Sequence, residues 1–220
     1  MTTKDDFRLA ELIYIGDSDI ARWPQHLLPK TEVSAVVHGE CGATLADVAK
    51  TAAEIFAQVG ADKIKIIVGC AGENDVAQSI CVDTILDSFQ KFVQSVQNGY
   101  GDNTHSNHLI LFLGPKIEPW MKGDQASYKQ YAKLARGLKR ACEKQQDSLY
   151  FVDCLTMFCD PNTANIPGAV MGARAQADPS YFDYDKLHLS IRGYSVWQEV
   201  LQPLLKHAIA HGKWPLADFL

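Results

Sequence analysis

Near the start of the chain stands the stretch Leu12-Ile13-Tyr14-Ile15-Gly16-Asp17-Ser18-Asp19. Its first half is a short apolar run that ends where glycine and aspartate begin, which is typical of a strand buried on both faces. Four later runs have the same character: Val33–Val37, Ile64–Val68, Leu109–Leu113 and Leu149–Val152. The sequence therefore predicts five strands, the first at Leu12–Ile15.

The segments between these runs have the apolar spacing of amphipathic helices. In Leu45–Val59 the apolar residues recur at intervals of three and four and share one broad face. The same spacing predicts helices at Val82–Val96, Tyr128–Cys142 and Tyr194–Ile209. Strands that alternate with helices of this length indicate right-handed crossovers and a parallel sheet covered by helices. We predict a single α/β domain over residues 1–220.

The composition excludes several classes of protein. The chain has 220 residues, of which 47% are hydrophobic and 21% are charged, a balance that excludes a disordered or fibrous protein. Its net charge is −5, and no run of lysine and arginine stands out, so a nucleic-acid partner is not expected. The longest apolar runs are too short to cross a bilayer, so integral membrane association is not expected either.

The cysteines and the N-terminal residues indicate the cellular compartment in which the protein is expected. Six cysteines are scattered without the density of a disulfide framework: Cys41, Cys70, Cys81, Cys142, Cys154 and Cys159. Free thiols in a reducing compartment are the expectation for this pattern. Residues Met1–Arg8 carry charges ahead of any apolar run, unlike a secretory signal. The sequence therefore predicts a cytoplasmic protein.

The segment 153–186 follows neither the helical nor the strand period. It contains three prolines and two glycines, and Tyr181, Phe182 and Tyr184 lie near its end. Loops of this length within compact domains are usually functional or disordered. Because of the aromatic residues, we expect an ordered loop that packs on the body of the protein and serves as a substrate loop.

The residues that follow the predicted strands are the candidates for a functional site, because ligands bind outside the carboxyl ends of the strands in an open parallel sheet. A hydroxyl, backbone N–H groups, a carboxamide, a carboxylate and an imidazole are found there or just before the last helix: Ser18, Gly39, Gly42, Asn74, Asp185 and His188. Ser190 is placed to cap that last helix.

These are the groups of an acyl-transfer site. A serine hydroxyl is a poor nucleophile until a base takes its proton, and histidine suits that task near neutral pH. A carboxylate on the far ring nitrogen fixes the tautomer, and N–H donors stabilise the oxyanion. Taken singly, each residue has a simpler interpretation: Ser18 as a helix N-cap, and Asn74 and Gly42 as turn residues.

Together, the motifs resemble the four blocks of the SGNH hydrolases, also called GDSL esterases. In order, they are Gly16-Asp17-Ser18, Gly42, Gly72-Glu73-Asn74-Asp75 and Asp185-x-x-His188. The resemblance spans residues 12–205. It implies a flavodoxin-like three-layer α/β/α fold with strand order 2-1-3-4-5, and a reaction that needs neither metal nor organic cofactor.

The resemblance also implies a role for each block. Ser18 would be the nucleophile, His188 the general base and acid, and Asp185 the residue that orients His188. The oxyanion hole would consist of the backbone N–H groups of Ser18 and Gly42 with the side chain of Asn74.

Two positions depart from the family pattern, and one block is ambiguous. Asp19 stands where the family has leucine, and Glu73 stands where threonine is commoner, so the charge of the pocket differs. Gly39 and Gly42 both follow the second predicted strand, and either could supply the second oxyanion N–H. We assign Gly42, because Gly39-x-x-Gly42-x-Thr44 resembles the form this block takes in many relatives.

The rim is rich in polar groups, from which Asp19, Glu73 and Lys116 are predicted to bind substrate. A site for long lipids would be expected to show a larger apolar face, so short-chain or sugar O-acyl esters are favoured. The partner is then a small-molecule ester. Two alternatives stay open: an acyltransferase that uses the same acyl-enzyme, and a non-catalytic binding module on the same fold.

Other candidate sites are weaker. His105 and His108 lack convergent metal ligands, and Cys154 with Cys159 lacks the second pair that a structural zinc needs. No metal site is therefore predicted. The sequence also lacks Gly-x-Gly-x-x-Gly and Walker strings, which argues against dinucleotide and P-loop binding.

Overall fold

The computed structural model describes residues 7, 10–59, 65–98, 108–145, 147–164 and 175–215. The strands are β1 (Leu12–Gly16), β2 (Ala35–Gly39), β3 (Ile66–Cys70), β4 (Leu109–Leu113) and β5 (Leu149–Val152). The helices are α1 (Ser18–Ala21), α2 (Leu45–Val59), α3 (Glu73–Ala77), α4 (Val82–Asn98), α5 (Gln125–Glu143), α6 (Pro161–Ala164) and α7 (Ile191–His211). Three 3-10 turns complete the set: Gln25–Leu27, Pro119–Met121 and Pro179–Tyr181.

The five strands form one parallel sheet in the order β2-β1-β3-β4-β5. This confirms the predicted sheet and the strand order 2-1-3-4-5. In such a sheet the order reverses between β1 and β3, and the crevice outside their carboxyl ends is the usual place for a ligand.

Two strands differ from their predicted positions. β2 and β3 each begin and end two residues later than the apolar runs, because the parallel pairing continues through the glycines: Gly39 lies opposite Gly16, and Gly69 lies opposite Phe112. β2 was also expected to be buried on both faces, and that expectation is wrong. It is an edge strand with one neighbour, and its residues are half-buried or exposed.

Apolar residues cover both faces of the sheet. On one face, alternate residues such as Ile13 and Ile15 join a core built with α2, α4 and α5. On the other face, Leu12 and Tyr14 join a core built mainly with α7, whose Trp197 is fully buried. The fold is therefore a three-layer α/β/α sandwich, with side chains of each strand alternating between the two layers.

The helices α2 and α4 begin at Leu45 and Val82, as predicted, whereas α5 and α7 begin earlier than their apolar pattern, because capping residues start them. α5 begins after Asp124, whose side chain accepts hydrogen bonds from the N–H groups of Ala126 and Ser127. α7 begins after Ser190, whose hydroxyl accepts from Gly193 N–H, which confirms the predicted cap. The predicted first residues of α5 and α7, Tyr128 and Tyr194, each lie three residues after the observed start of the helix.

The described parts of segment 153–186 are ordered and packed on the sheet. Residue pairs Cys159–Ala177 and Phe182–Leu189 form isolated antiparallel bridges. The buried ring of Phe158 contacts the ring of Trp197 in α7. Pro167, Gly168 and Gly172, on which the expectation of a loop partly rested, lie outside the described residues.

Two further expectations concern thiols and membranes. All six cysteines fall within the described residues, and each is free, which agrees with the prediction. Among the described helices, none combines the length and the apolar character that spanning a bilayer would require.

Gly39 allows α1 to lie directly against β2. A Cβ built on Gly39 would stand 2.1 Å from the backbone nitrogen of Ala21, a distance that real structures do not show. By contrast, a Cβ on Gly137 in α5 would meet the flexible end of the Leu86 side chain, at 2.5 Å from its Cδ1.

Gly39→Ala is expected to lower the free energy of unfolding by about 1–3 kcal/mol, because the backbone of α1 must move to admit the methyl group. Thermal and urea unfolding measure the effect. Gly137→Ala is the matched control, and its loss of stability should be small, because alanine gains about 1 kcal/mol of helix propensity and the added methyl group meets only the side chain of Leu86, which is flexible and half-buried. Equal stability of Gly39→Ala and the wild type would contradict the tight contact.

Candidate active site

Ser18 is the first residue of α1, directly beyond the carboxyl end of β1. The helix N-cap is Asp17, whose side chain accepts a hydrogen bond from Asp19 N–H, so the alternative role of Ser18 as the cap is wrong. The Ser18 hydroxyl instead lies 3.0 Å from Nε2 of His188. The strand-to-helix turn thus presents this hydroxyl to an imidazole that is 170 residues away in sequence.

Asp185 holds the far side of the His188 ring. Its Oδ2 lies 2.6 Å from His188 Nδ1, and its Oδ1 accepts hydrogen bonds from the backbone N–H groups of Leu187 and His188 at 3.0 Å each. Arg22 Nη1 is 3.5 Å from the same Oδ2. The carboxylate is therefore fixed in position by the loop it belongs to.

Electrostatics keep Asp185 ionised. Burial raises the pKa of its carboxyl group, but the hydrogen bonds from His188 and Leu187 outweigh burial and lower the pKa to about 2. A carboxylate on Nδ1 keeps the proton on that nitrogen and leaves Nε2 free to accept one from Ser18. The structure thus brings together all three residues that the sequence singled out for a catalytic triad.

Asn74 lies in the short helix α3, beyond the carboxyl end of β3. Its Nδ2 donates one hydrogen bond to the carbonyl oxygen of Ala43 at 3.0 Å, which fixes the carboxamide beside the turn that contains Gly42. The neighbouring Asp75 accepts from Leu45 N–H at 2.8 Å and ties α3 to the start of α2. An Asn side chain has a second N–H, which is available to a ligand.

The two candidate glycines have different surroundings. Gly39 is packed against α1, whereas Gly42 has φ +81°, and a Cβ built on it would meet no atom within 4 Å. Within the described residues, neither Ser18 N–H nor Gly42 N–H has a hydrogen-bond acceptor in the protein. Gly42 does not line the pocket described next, so its role as an oxyanion donor stays a prediction.

A pocket of about 350 Å³ opens at this edge of the sheet. Its lining includes most of the predicted site residues: Ser18, Asp19, Glu73, Asn74, Lys116, Asp185 and His188. It also includes Trp120, Tyr131 and Leu187, which the sequence reasoning missed. Trp120 belongs to the stretch 114–120 after β4, which the sequence reasoning covered without singling this residue out, whereas Tyr131 lies within α5 and carries no sequence signal.

The three residues predicted to bind substrate line the pocket, and their side chains are almost entirely buried. Lys116 is 1% exposed, and its ammonium group lies 2.5 Å from Asp19 Oδ2 and 2.7 Å from Glu73 Oε2. A third carboxylate, Glu118 Oε1, lies 3.1 Å from the same nitrogen. The structure therefore groups Asp19, Glu73 and Lys116 in one buried ion cluster, and their role as substrate ligands stays a prediction.

The cluster contains one ammonium group and several carboxyl groups, and their pKa values depend on one another. Burial lowers the pKa of Lys116, but the surrounding carboxylates raise it well above its usual value, so the side chain is an ammonium group. Burial also raises the pKa of Glu73, Glu118 and the adjacent Asp17. The carboxyl groups therefore hold protons to a higher pH than exposed ones would.

One group of metal-type ligands occurs in the described part of the chain. Asp17, Asp19 and Cys70 place ligand atoms within 4.8 Å of one another, and all three are buried. Their positive neighbour is already Lys116, which contacts Asp19. His105 of the weaker candidate pair lies outside the described residues, and Cys154 and Cys159 are buried free thiols.

By sequence, the chain matches no protein-family model and no curated protein. By structure, it is similar to a lipolytic protein of the G-D-S-L family from Veillonella parvula (13% identity, TM-score 0.68, covering 89% of this chain and 97% of that chain). It is also similar to a lipase/acylhydrolase from Enterococcus faecalis (16% identity, TM-score 0.62, covering 89% and 94%). A third similar structure is a carbohydrate acetylesterase family member from Sinorhizobium meliloti (14% identity, TM-score 0.61, covering 90% and 98%). At these identities the likeness shows a shared fold.

Proposed function

We propose that this chain is a serine esterase of the SGNH hydrolase family, which hydrolyses carboxylic esters through an acyl-enzyme. The observation that carries the proposal is the hydrogen-bonded series from Ser18 through His188 to Asp185, with distances of 3.0 and 2.6 Å, at the edge of a pocket. Structures of the same fold that are described as G-D-S-L lipolytic proteins, acylhydrolases and acetylesterases support it.

In the proposed reaction, each step is assigned to one of these residues. His188 Nε2 takes the proton as Ser18 Oγ attacks the ester carbonyl, and Asp185 stabilises the resulting imidazolium. The oxyanion of the tetrahedral intermediate accepts hydrogen bonds from Asn74 and from the backbone N–H groups of Ser18 and Gly42. His188 then protonates the departing alcohol, and the same residue activates the water that hydrolyses the acyl-enzyme.

The size of the pocket supports a small substrate. At about 350 Å³ it lies near the lower limit for small-molecule sites. Charged groups line the pocket, together with the aromatic ring of Trp120, which has 42% of its surface exposed. These features support short-chain or sugar O-acyl esters over long-chain lipids.

Ser18→Ala is expected to fold normally and to lose roughly four orders of magnitude or more in kcat, because the nucleophile is removed. The measurements are hydrolysis of p-nitrophenyl acetate and covalent labelling by a fluorophosphonate, which requires an activated serine. Ser195→Ala, in the exposed part of α7, is the matched control and should be labelled like the wild type. Labelling of Ser18→Ala, or retention of a large share of kcat, would contradict the proposal and favour a different site.

Asn74→Ala is expected to lower kcat more than it raises KM, because the carboxamide meets an oxyanion that exists fully only in the tetrahedral species. The loss should be about 3 kcal/mol of transition-state stabilisation. A purely structural Asn74, bound to Ala43, would instead lower the melting temperature and leave kcat nearly intact. Steady-state kinetics and thermal unfolding on one preparation separate the two results, with Asn162→Ala as a surface control.

Activity is expected to fall as the pH is lowered, because only neutral His188 can accept the Ser18 proton. The pKa of Asp185 is about 2, so this carboxyl group stays ionised while the activity falls and does not cause the loss of activity at low pH. The pH dependence of kcat/KM measures the limb. In His188→Ala the residual rate should lose this dependence, and a variant with an unchanged profile would show that another group is the base.

A further inference from the structure

Lys116 stands three residues beyond β4 and uses all the donors of its ammonium group inside the protein. A lysine ammonium group has three N–H donors. Those of Lys116 face three different carboxylates, Asp19 at 2.5 Å, Glu73 at 2.7 Å and Glu118 at 3.1 Å. The backbone N–H of Lys116 adds a further bond to Glu73 at 2.7 Å. No donor of the side chain is left for a substrate.

The partners of Lys116 adjoin the reacting groups. Asp19 directly follows Ser18, and Glu73 directly precedes Asn74. Glu118 accepts a hydrogen bond from the indole of Trp120, which lines the pocket. One buried cation therefore connects the nucleophile segment, the carboxamide segment and the pocket residue Trp120.

The helices that carry Ser18 and Asn74 are too short to hold their own positions. α1 has four residues and α3 has five, whereas isolated helices below about 12 residues are marginal even in favourable sequences. Their placement must come from tertiary contacts. α1 is fixed at its far side by Gly39 and by the Tyr194 hydroxyl, which donates to Asp19 O at 2.9 Å. Among the described residues, α1 and α3 are linked through Lys116, which donates hydrogen bonds to Asp19 of α1 and to Glu73 of α3.

Stability alone does not account for such a cluster. Burying an ammonium group with several carboxylates costs desolvation free energy, and apolar replacements of buried ion clusters are often neutral or stabilising. One carboxylate oxygen, Asp19 Oδ1, is buried without a hydrogen-bond partner among the described residues, which adds to the cost. An arrangement of this kind is better explained by the geometry it imposes.

We propose that Lys116 is a positioning residue of the proposed esterase, which sets the distance between the Ser18 nucleophile and the Asn74 oxyanion donor through Asp19 and Glu73. It does not bind substrate. The proposal rests on the proposed function, and it replaces the expectation that Lys116 is a substrate ligand.

The first test is Lys116→Met, which keeps most of the length of the side chain and removes its charge. A displaced nucleophile or oxyanion donor should lower kcat by roughly tenfold to a hundredfold, because small misplacements have effects of this size. KM should change by much less, since no substrate contact is lost. Fluorophosphonate labelling of Ser18 should slow in parallel. Lys133→Met, which removes an exposed lysine paired with Asp83 at 3.0 Å, is the matched control.

Lys116→Met leaves the buried carboxylates without their cation, and the variant could unfold for that reason. A second variant keeps the positioning role testable in that case. Lys116→Met combined with Asp19→Asn, Glu73→Gln and Glu118→Gln removes the charges of the cluster together and preserves side-chain shape. We expect this quadruple variant to recover the melting temperature of the wild type but not its kcat. Recovery of both, or a rise in KM without a fall in kcat, would overturn the positioning role. Failure of both variants to fold would make Lys116 a purely structural residue and would overturn it as well.

The two proposals fail in different ways. If Ser18→Ala remains active, the proposed function is wrong, whatever Lys116 does. If Ser18→Ala is inactive and Lys116→Met has the kcat of the wild type, the esterase assignment stands and only the positioning role is wrong.

Discussion

The parallel pairing of β1 with β3 is the constraint on which the site depends. The ladder runs from Leu12 opposite Ile66 to Gly16 opposite Cys70, and the bond from Asp17 N–H to Cys70 O extends it by one step. Both strands therefore end at the same level, and the turns that follow them leave the sheet side by side. Gly16 makes this approach possible, since a Cβ there would stand 2.2 Å from Cys70 O. Ser18 and Asn74 become neighbours because their strands are neighbours.

The imidazole reaches the same edge from the other end of the chain and is held just as firmly. The bridge between Phe182 and Leu189 and the hydrogen bond from Asp183 N–H to His188 O close a tight loop around the histidine. The Ser190 cap then joins this loop to α7, whose core residues pack on β1. His188 thus adjoins a long helix, whereas Ser18 and Asn74 lie in short ones, whose relative placement we attribute to the buried cluster around Lys116.

The sequence predicted much of this arrangement, and the physical reasons for success and failure differ. The strands and long helices are set by local periodicity. The residues after the predicted strands and before the last helix, together with the resemblance to the SGNH blocks, singled out Ser18, Asn74, Asp185 and His188, and the structure places all four along one pocket. The ends of β2 and β3 were predicted two residues too early, because a glycine interrupts the apolar run in the sequence but does not interrupt the pairing with the neighbouring strand. The burial of Lys116 could not be read from the sequence, because lysine near a strand end is usually exposed. Its burial follows from carboxylates that come from two other segments of the chain.

The contact between Ser18 and His188 spans 170 residues, and that distance along the chain has a consequence for biosynthesis. Domains emerge from the ribosome with the N-terminal part first, and contacts between remote segments form late because the intervening chain must first be ordered. The segments that carry Ser18 and Asn74 are made early, but Asp185, His188 and α7 are among the last to appear. A nascent or truncated chain that ends before Asp185 therefore has the sheet edge and Ser18 but neither Asp185 nor His188. The hydrogen-bonded series on which the proposed function rests can form only when synthesis is nearly complete.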